Sequence, residues 1–272
     1  MYIQLIFLCI VSVVLTCAGT FLNLLVIVSF WRSSAHLRSK LYYFMIMVLS
    51  FCDFLVVITN HPILILDLVL WLKEKNDLLA MLMIYEHFSD TFIGASIMAL
   101  LVMSLERYLG AYYPFFHRTS LTRRRLLTLL AVLFFLTTIM AILCINDWVI
   151  SVTAVLIIFF VIVFPPFVFF NYKLFMISRK VHRDIARRRN NTSSPAATST
   201  LHVNLKNIST CLLAVGLLLL LYIPVFSIIV LNFIETLTSE KAMLIYFWGR
   251  TIANANSTLN CLIFFWKDDV LR

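Results

Sequence analysis

The run LYYFMIMVLSFCDFLVVITNHPILILDLVL, residues 41–70, contains two acids, Asp53 and Asp67, and no Lys or Arg. A helix needs about 20 apolar residues to cross the hydrocarbon core of a bilayer, so this run is read as a membrane span. Asp53 lies near its middle. A lone carboxylate at that depth is costly, so it calls for hydrogen-bond donors or a cation nearby. Six further stretches have the same apolar length, at about 3–31, 79–106, 125–146, 149–175, 207–234 and 242–266. Together the seven account for most of the chain.

Composition agrees. Of 272 residues 62% are hydrophobic and 13% charged, with a mean hydropathy of +0.98. A soluble domain is about one quarter charged. Five Gly and six Pro exclude a collagen-like chain, and 24 Phe exclude a disordered one. The first span has no positive charge before it and is too long for a signal-peptide core, so it is kept as a helix. The expected fold is all-α, a seven-helix transmembrane bundle forming one domain over residues 1–272.

Orientation follows from the basic residues, which concentrate on the cytoplasmic side. If the loop after the first span is cytoplasmic, only Lys73, Lys75, Lys241 and Arg250 fall on the other side. The N-terminus is then outside and the C-terminus inside. The net charge of +9 is explained by basic loops facing anionic lipid, with no need of nucleic acid. Residues 180–206 read as a cytoplasmic linker, because Asn190–Thr200 is rich in Ser, Thr and Asn and is interrupted by Pro195. Ser194, before Pro195, is a candidate phosphorylation site there. The six Cys lie in or beside spans and are expected to pack as small hydrophobes. The sequons at Asn190, Asn191, Asn207 and Asn256 fall on the cytoplasmic side or within a span, so none should carry sugar.

The ionisable residues within spans are the functional candidates: Asp53, Glu86, Asp90, Glu106 with Arg107, and Arg250. Asn256, Ser257 and Asn260 share one helical face of the seventh span. With Asn23 and Ser96 at comparable depth, they suggest a polar cluster around Asp53.

Asn23-Leu24-Leu25-Val26, Leu49-Ser50-Phe51-Cys52-Asp53, Glu106-Arg107-Tyr108 with Pro114, Tyr222-Ile223-Pro224 and Asn256-Ser257-Thr258-Leu259-Asn260 together resemble the rhodopsin-like (class A) G-protein-coupled receptors, in the right order along the entire chain. The resemblance implies a multi-pass receptor of the cell membrane and no enzyme. Its partners would be an extracellular ligand of unknown class, a heterotrimeric G protein and membrane lipids. Glu106, Arg107, Tyr108 and Pro224 would form the coupling switch, with Pro224 as the hinge of the sixth span. Glu86, Asp90, Tyr222, Phe226, Tyr246 and Arg250 would line the ligand pocket, with His87 and Asn232 at similar depth. Asp90 or Glu86 paired with Arg250 is equally readable as a structural salt bridge. The resemblance also implies a sodium ion, the sole cofactor expected, held by Asp53, Ser96, Asn256, Ser257 and Asn260. The alternative there is a neutral network around a protonated Asp53.

Several positions depart from the family pattern. Leu82 stands where a disulfide cysteine is usual, and the loop at about 146–151 has no Cys. Tyr222 replaces the usual tryptophan, Cys261 follows Asn260 in place of proline, and Phe264 replaces a tyrosine. Neither Asn204, Leu205 nor Lys206 supplies an acid that could pair with Arg107. Ser89 occupies the position of the amine-receptor aspartate and Asn254 that of the opsin lysine, so neither ligand class is implied. A non-signalling or decoy receptor is the main rival reading. A transporter would show more glycine and repeat symmetry. An enzyme would need a catalytic cluster, and the six His are scattered.

Overall fold

A computed structural model describes residues 2–73, 79–143, 163–190, 205–223 and 239–267. Among these residues there is no strand. The helices are α1 (Tyr2–Arg32), α2 (Ala35–Ser39), α3 (Leu41–Leu72), α4 (Leu79–Tyr112), α5 (Pro114–Ser120), α6 (Arg123–Leu143), α7 (Phe164–Asn190), α8 (Leu205–Ile223) and α9 (Ser239–Lys267). Each expected span falls at least in part on a helix. Among the described residues, four helical stretches are long and apolar enough to cross a membrane: Tyr2–Arg32, Leu41–Leu72, Ser89–Tyr112 and Leu205–Ile223.

Local chemistry sets the breaks. The Ser34 hydroxyl accepts from the backbone N–H of Leu37 at 3.4 Å and caps the short α2. Pro114 starts α5, where its missing N–H costs nothing and its ring already holds the helical φ. Pro62 lies inside α3 and leaves one carbonyl of the preceding turn without its helical donor. Helix α7 runs on to Asn190, so residues 180–190 are helical rather than part of the linker expected over 180–206. The physical reason is composition: Lys, Arg, Ile and Ala dominate that turn, and Lys180, Asp184 and Arg188 are spaced for favourable charge pairs.

Helix α3 packs against α1 and α4, α9 closes on α1 and α3, and α4 also meets α6 and α7. Helices α3 and α4 are thus the core, and together with α9 they carry most of the buried polar residues described. Val26, Met45, Leu49, Leu100, Met103, Cys211 and Phe264 belong to the main apolar core, and Leu5, Leu8, Leu64, Leu68 and Phe247 to a second one. Ile6, Val14, Phe21, Phe135 and Leu220 are exposed, as helices facing lipid require. The α1–α9 contact depends on a glycine: a Cβ on Gly19 would lie 2.5 Å from Thr258 Oγ1 and 2.8 Å from a Val57 methyl. Thr258 uses that closeness to donate to the Leu15 carbonyl at 3.2 Å.

Of the described cysteines, Cys52, Cys211 and Cys261 are buried and all are free thiols. Cys17 is exposed, which corrects the expectation of packing for that residue, because it points away from the neighbouring helices.

Candidate functional site

Three polar groups line the interior. The first lies at the end where basic residues collect. The Glu106 carboxylate is completely buried, 0% exposed, and is held from two sides. Arg107 donates to both its oxygens through Nε and Nη2. His117 Nε2, from α5, lies 2.7 Å from Oε1. The Arg107 guanidinium, 14% exposed, sits 4.7 Å from the centre of the Tyr42 ring, where the ring face favours a cation. Tyr108 does not join this group. It packs with Tyr112, Tyr113, Phe169 and Phe170. Beneath Arg107, Ser104 bridges α4, α7 and α8: Asn171 Nδ2 lies 3.3 Å from the Ser104 hydroxyl, and Cys211 Sγ is 3.6 Å from it.

The second group surrounds Asp53, which is fully buried. Ser96 donates to Oδ1 at 2.5 Å and Asn260 Nδ2 to Oδ2 at 3.0 Å. The Ser257 hydroxyl faces the same carboxylate. The buried Oδ1 atoms of Asn256 and Asn260 have no hydrogen-bond partner among the described residues. Asn23 ties α1 to this group, donating to the Gly19 carbonyl at 2.9 Å and to the Ser257 carbonyl at 3.1 Å. Cys261 donates from Sγ to Asn23 Oδ1 at 2.8 Å, so the residue standing in the family's proline position makes a polar contact of its own. The donor set is oxygen-only with one carboxylate, which suits a hard cation such as sodium. Among the described residues no cluster of His, Cys, Asp and Glu gathers to hold a metal.

The third group lies toward the other end. Arg250 Nη2 donates to Asp90 Oδ1 at 2.8 Å, and Asn60 Nδ2 donates to the same oxygen at 3.1 Å. Arg250 Nη1 reaches the Tyr246 hydroxyl at 2.9 Å, and its guanidinium lies 5.6 Å from that ring's centre. The Asp90 side chain is 46% exposed and that of Arg250 13%. Tyr222 is buried and lies within the electrostatic reach of Asp53, Asp90 and Arg250, so it stands between the second and third groups. On the far flank of α3, His61 Nε2 is 3.4 Å from the Asn254 carbonyl.

The structure thus brings together Asp53, Ser96, Ser257 and Asn260, joins Arg250 to both Asp90 and Tyr246, and joins Glu106 to Arg107. The side chains of Glu86 and His87, together with Pro224, Phe226, Asn232, Cys144 and Ser194, lie outside the described residues. Sequence reasoning missed His117, Tyr42 and Asn60. For Asn60 there was a signal, since Asn60-His61 is a polar pair inside an apolar span. His117 and Tyr42 have none, because their roles exist only once α5 and the start of α3 fold against α4.

Residues 22–149 match the family model described as 7 transmembrane receptor (rhodopsin family). That stretch contains Asn23, Asp53, Asp90 and the Glu106-Arg107-Tyr108 triplet, so the resemblance to the rhodopsin-like receptors read from the motifs is borne out over residues 22–149. No curated protein matches it.

Proposed function

We propose that the chain sits in the cell membrane with its basic end in the cytoplasm and passes an extracellular ligand signal to a heterotrimeric G protein. The observation that carries this reading is the enclosure of Arg107. Glu106 and His117 occupy one side of the triplet and Tyr42 lies beneath the guanidinium. No acid from α8 is needed to hold it, which accounts for a sixth span that begins Leu205-Lys206. Activation moves the cytoplasmic half of the sixth span, with Pro224 as hinge, and frees Arg107 to face the G protein. The ligand pocket lies at the Asp90, Tyr222, Tyr246 and Arg250 group, with Glu86 and Phe226 as further lining residues.

The Asp53 group would hold a sodium ion through Asp53, Ser96, Ser257, Asn256 and Asn260. What supports this is a buried carboxylate to which Ser96 and Asn260 donate, with the buried Asn260 amide oxygen left without a partner among the described residues. The ion supplies the positive charge that the carboxylate otherwise lacks. The residues set its consequence: Asp53 on α3, Ser96 on α4 and Asn260 on α9 are drawn together, which favours the inactive packing.

Two measurements test the reading. Guanine-nucleotide exchange on G proteins in membranes containing the receptor is expected to fall at least about tenfold in Arg107→Ala at matched surface expression, a loss of about 1.4 kcal/mol in coupling. Equal exchange in both proteins removes Arg107 from the mechanism. The unfolding temperature of the purified receptor is expected to be higher in sodium chloride than in the chloride of a large organic cation at equal ionic strength, and the difference should vanish in Asp53→Asn. Identical unfolding of wild type in both salts rejects the ion.

A further inference from the structure

Besides pairing with one another, Asp90 and Arg250 are each held by a neutral neighbour. Asn60 donates to Asp90 at 3.1 Å, and the Tyr246 hydroxyl lies 2.9 Å from Arg250 Nη1. The ion pair can therefore part without either charge losing its aim. Asp90 Oδ2 has no hydrogen-bond partner among the described residues, and its side chain is 46% exposed although α3 and α9 flank it.

This arrangement discriminates by charge. A simple cation drawn to Asp90 must sit beside the Arg250 guanidinium, and a simple anion drawn to Arg250 must sit beside the Asp90 carboxylate. Either gains from one charge and loses to the other. A molecule bearing both charges exchanges one ion pair for two, with no like charges in contact. Resting on the pocket assignment above, we propose that the third group is a binding site for a small zwitterionic amino acid, its ammonium on Asp90 Oδ2 and its carboxylate on Arg250, entering between the two side chains. Asn60 and Tyr246 are the positioning residues that keep the parted charges in place.

The experiment uses the full chain in lipid nanodiscs and reads thermal unfolding. The probes are glycine, 4-aminobutyrate and 6-aminohexanoate, a series that measures the charge separation the gap accepts. Butylamine and butyrate at the same concentration are the single-charge controls. One member of the series is expected to raise the unfolding temperature by about 2–4 °C, with both controls flat. Asp90→Asn and Arg250→Gln should each weaken that probe at least about tenfold. Because either single change could disturb folding, the exchange of both (Asp90→Arg with Arg250→Asp) keeps a pair in place. A zwitterion can turn around, so the exchanged protein should bind the same probe within about tenfold. The proposal is overturned if no probe shifts unfolding, if butylamine or butyrate alone does as well, or if the single changes leave binding intact. Nucleotide exchange measured on the same preparations separates this from the coupling reading. Probe binding without exchange keeps the ligand class and rejects coupling, whereas Arg107-dependent basal exchange without probe binding does the reverse.

Discussion

Two acid–arginine pairs lie in this molecule and are built in opposite ways. Glu106 and Arg107 are neighbours in the chain, and the acid is the sealed member: it is 0% exposed against 14% for its arginine. Asp90 and Arg250 are 160 positions apart, and there the acid is the open member, 46% against 13%. The first pair is completed by His117 on one side and Tyr42 beneath. The second is flanked by Asn60 and Tyr246, which leave one carboxylate oxygen open. The attraction between the charges is similar in kind. What differs is the state of the partner left behind if either is removed, because the cost of a stranded charge is set by how little water reaches it. In the proposed reading the sealed pair serves as a latch and the half-open one as a receiving site.

The largest expected effect comes from breaking the sealed pair on its arginine side. Arg107→Ala leaves a buried carboxylate without its guanidinium, and the cost is expected to be about 3–5 kcal/mol of stability. Thermal unfolding of the purified protein checks this. If Arg107→Ala unfolds within a degree of wild type, Glu106 is not the sealed member, and the contrast between the pairs disappears.

Next in size is Asp90→Ala. It takes the carboxylate away from the Arg250 guanidinium, little of which water reaches. The loss is expected to be about 1–3 kcal/mol, smaller than for Arg107→Ala and larger than for the reciprocal change at Arg250. Asp90→Asn, which keeps an acceptor oxygen for Asn60, should recover part of it. Finding Asp90→Ala as damaging as Arg107→Ala would make the second pair a structural bridge of the same kind as the first.

How much of this was legible in the sequence follows from the solvent. In lipid, an ionisable residue within an apolar run stands out without any alignment, so Asp53, Asp90, Glu106 with Arg107, and Arg250 could all be picked from the chain as candidates. The helical face shared by Asn256, Ser257 and Asn260 placed them together, and Asn260 does reach Asp53. What could not be read is who completes each group. His117 meets Glu106 only because Pro114 starts a short helix that turns back under α4. Cys261 looks like a lost proline in the sequence, while its bond to Asn23 requires α9 to lie against α1, an approach that Gly19 permits by having no Cβ. The open and sealed sides of the two pairs were also invisible, since exposure belongs to the packing and not to the residue type.

The smallest effect is expected from Arg250→Ala, and it decides whether the second pair can open. The carboxylate left behind is already 46% exposed and keeps its bond from Asn60, so water can replace the lost guanidinium. Pairs whose members are this accessible contribute about 0.2–1 kcal/mol, and Arg250→Ala should fall in or near that range, well below Asp90→Ala. The asymmetry is the informative quantity. Combining the two changes removes the stranded arginine, so the double variant should be more stable than Asp90→Ala alone, and the coupling measured by the cycle should be set mainly by the penalty on Arg250. A small cost on the Arg250 side means that Asp90 can exchange its partner for an incoming ammonium at little expense to the fold. If Arg250→Ala instead costs as much as Asp90→Ala, the carboxylate depends on its arginine as fully as Glu106 depends on Arg107, and the open pair would be a second latch.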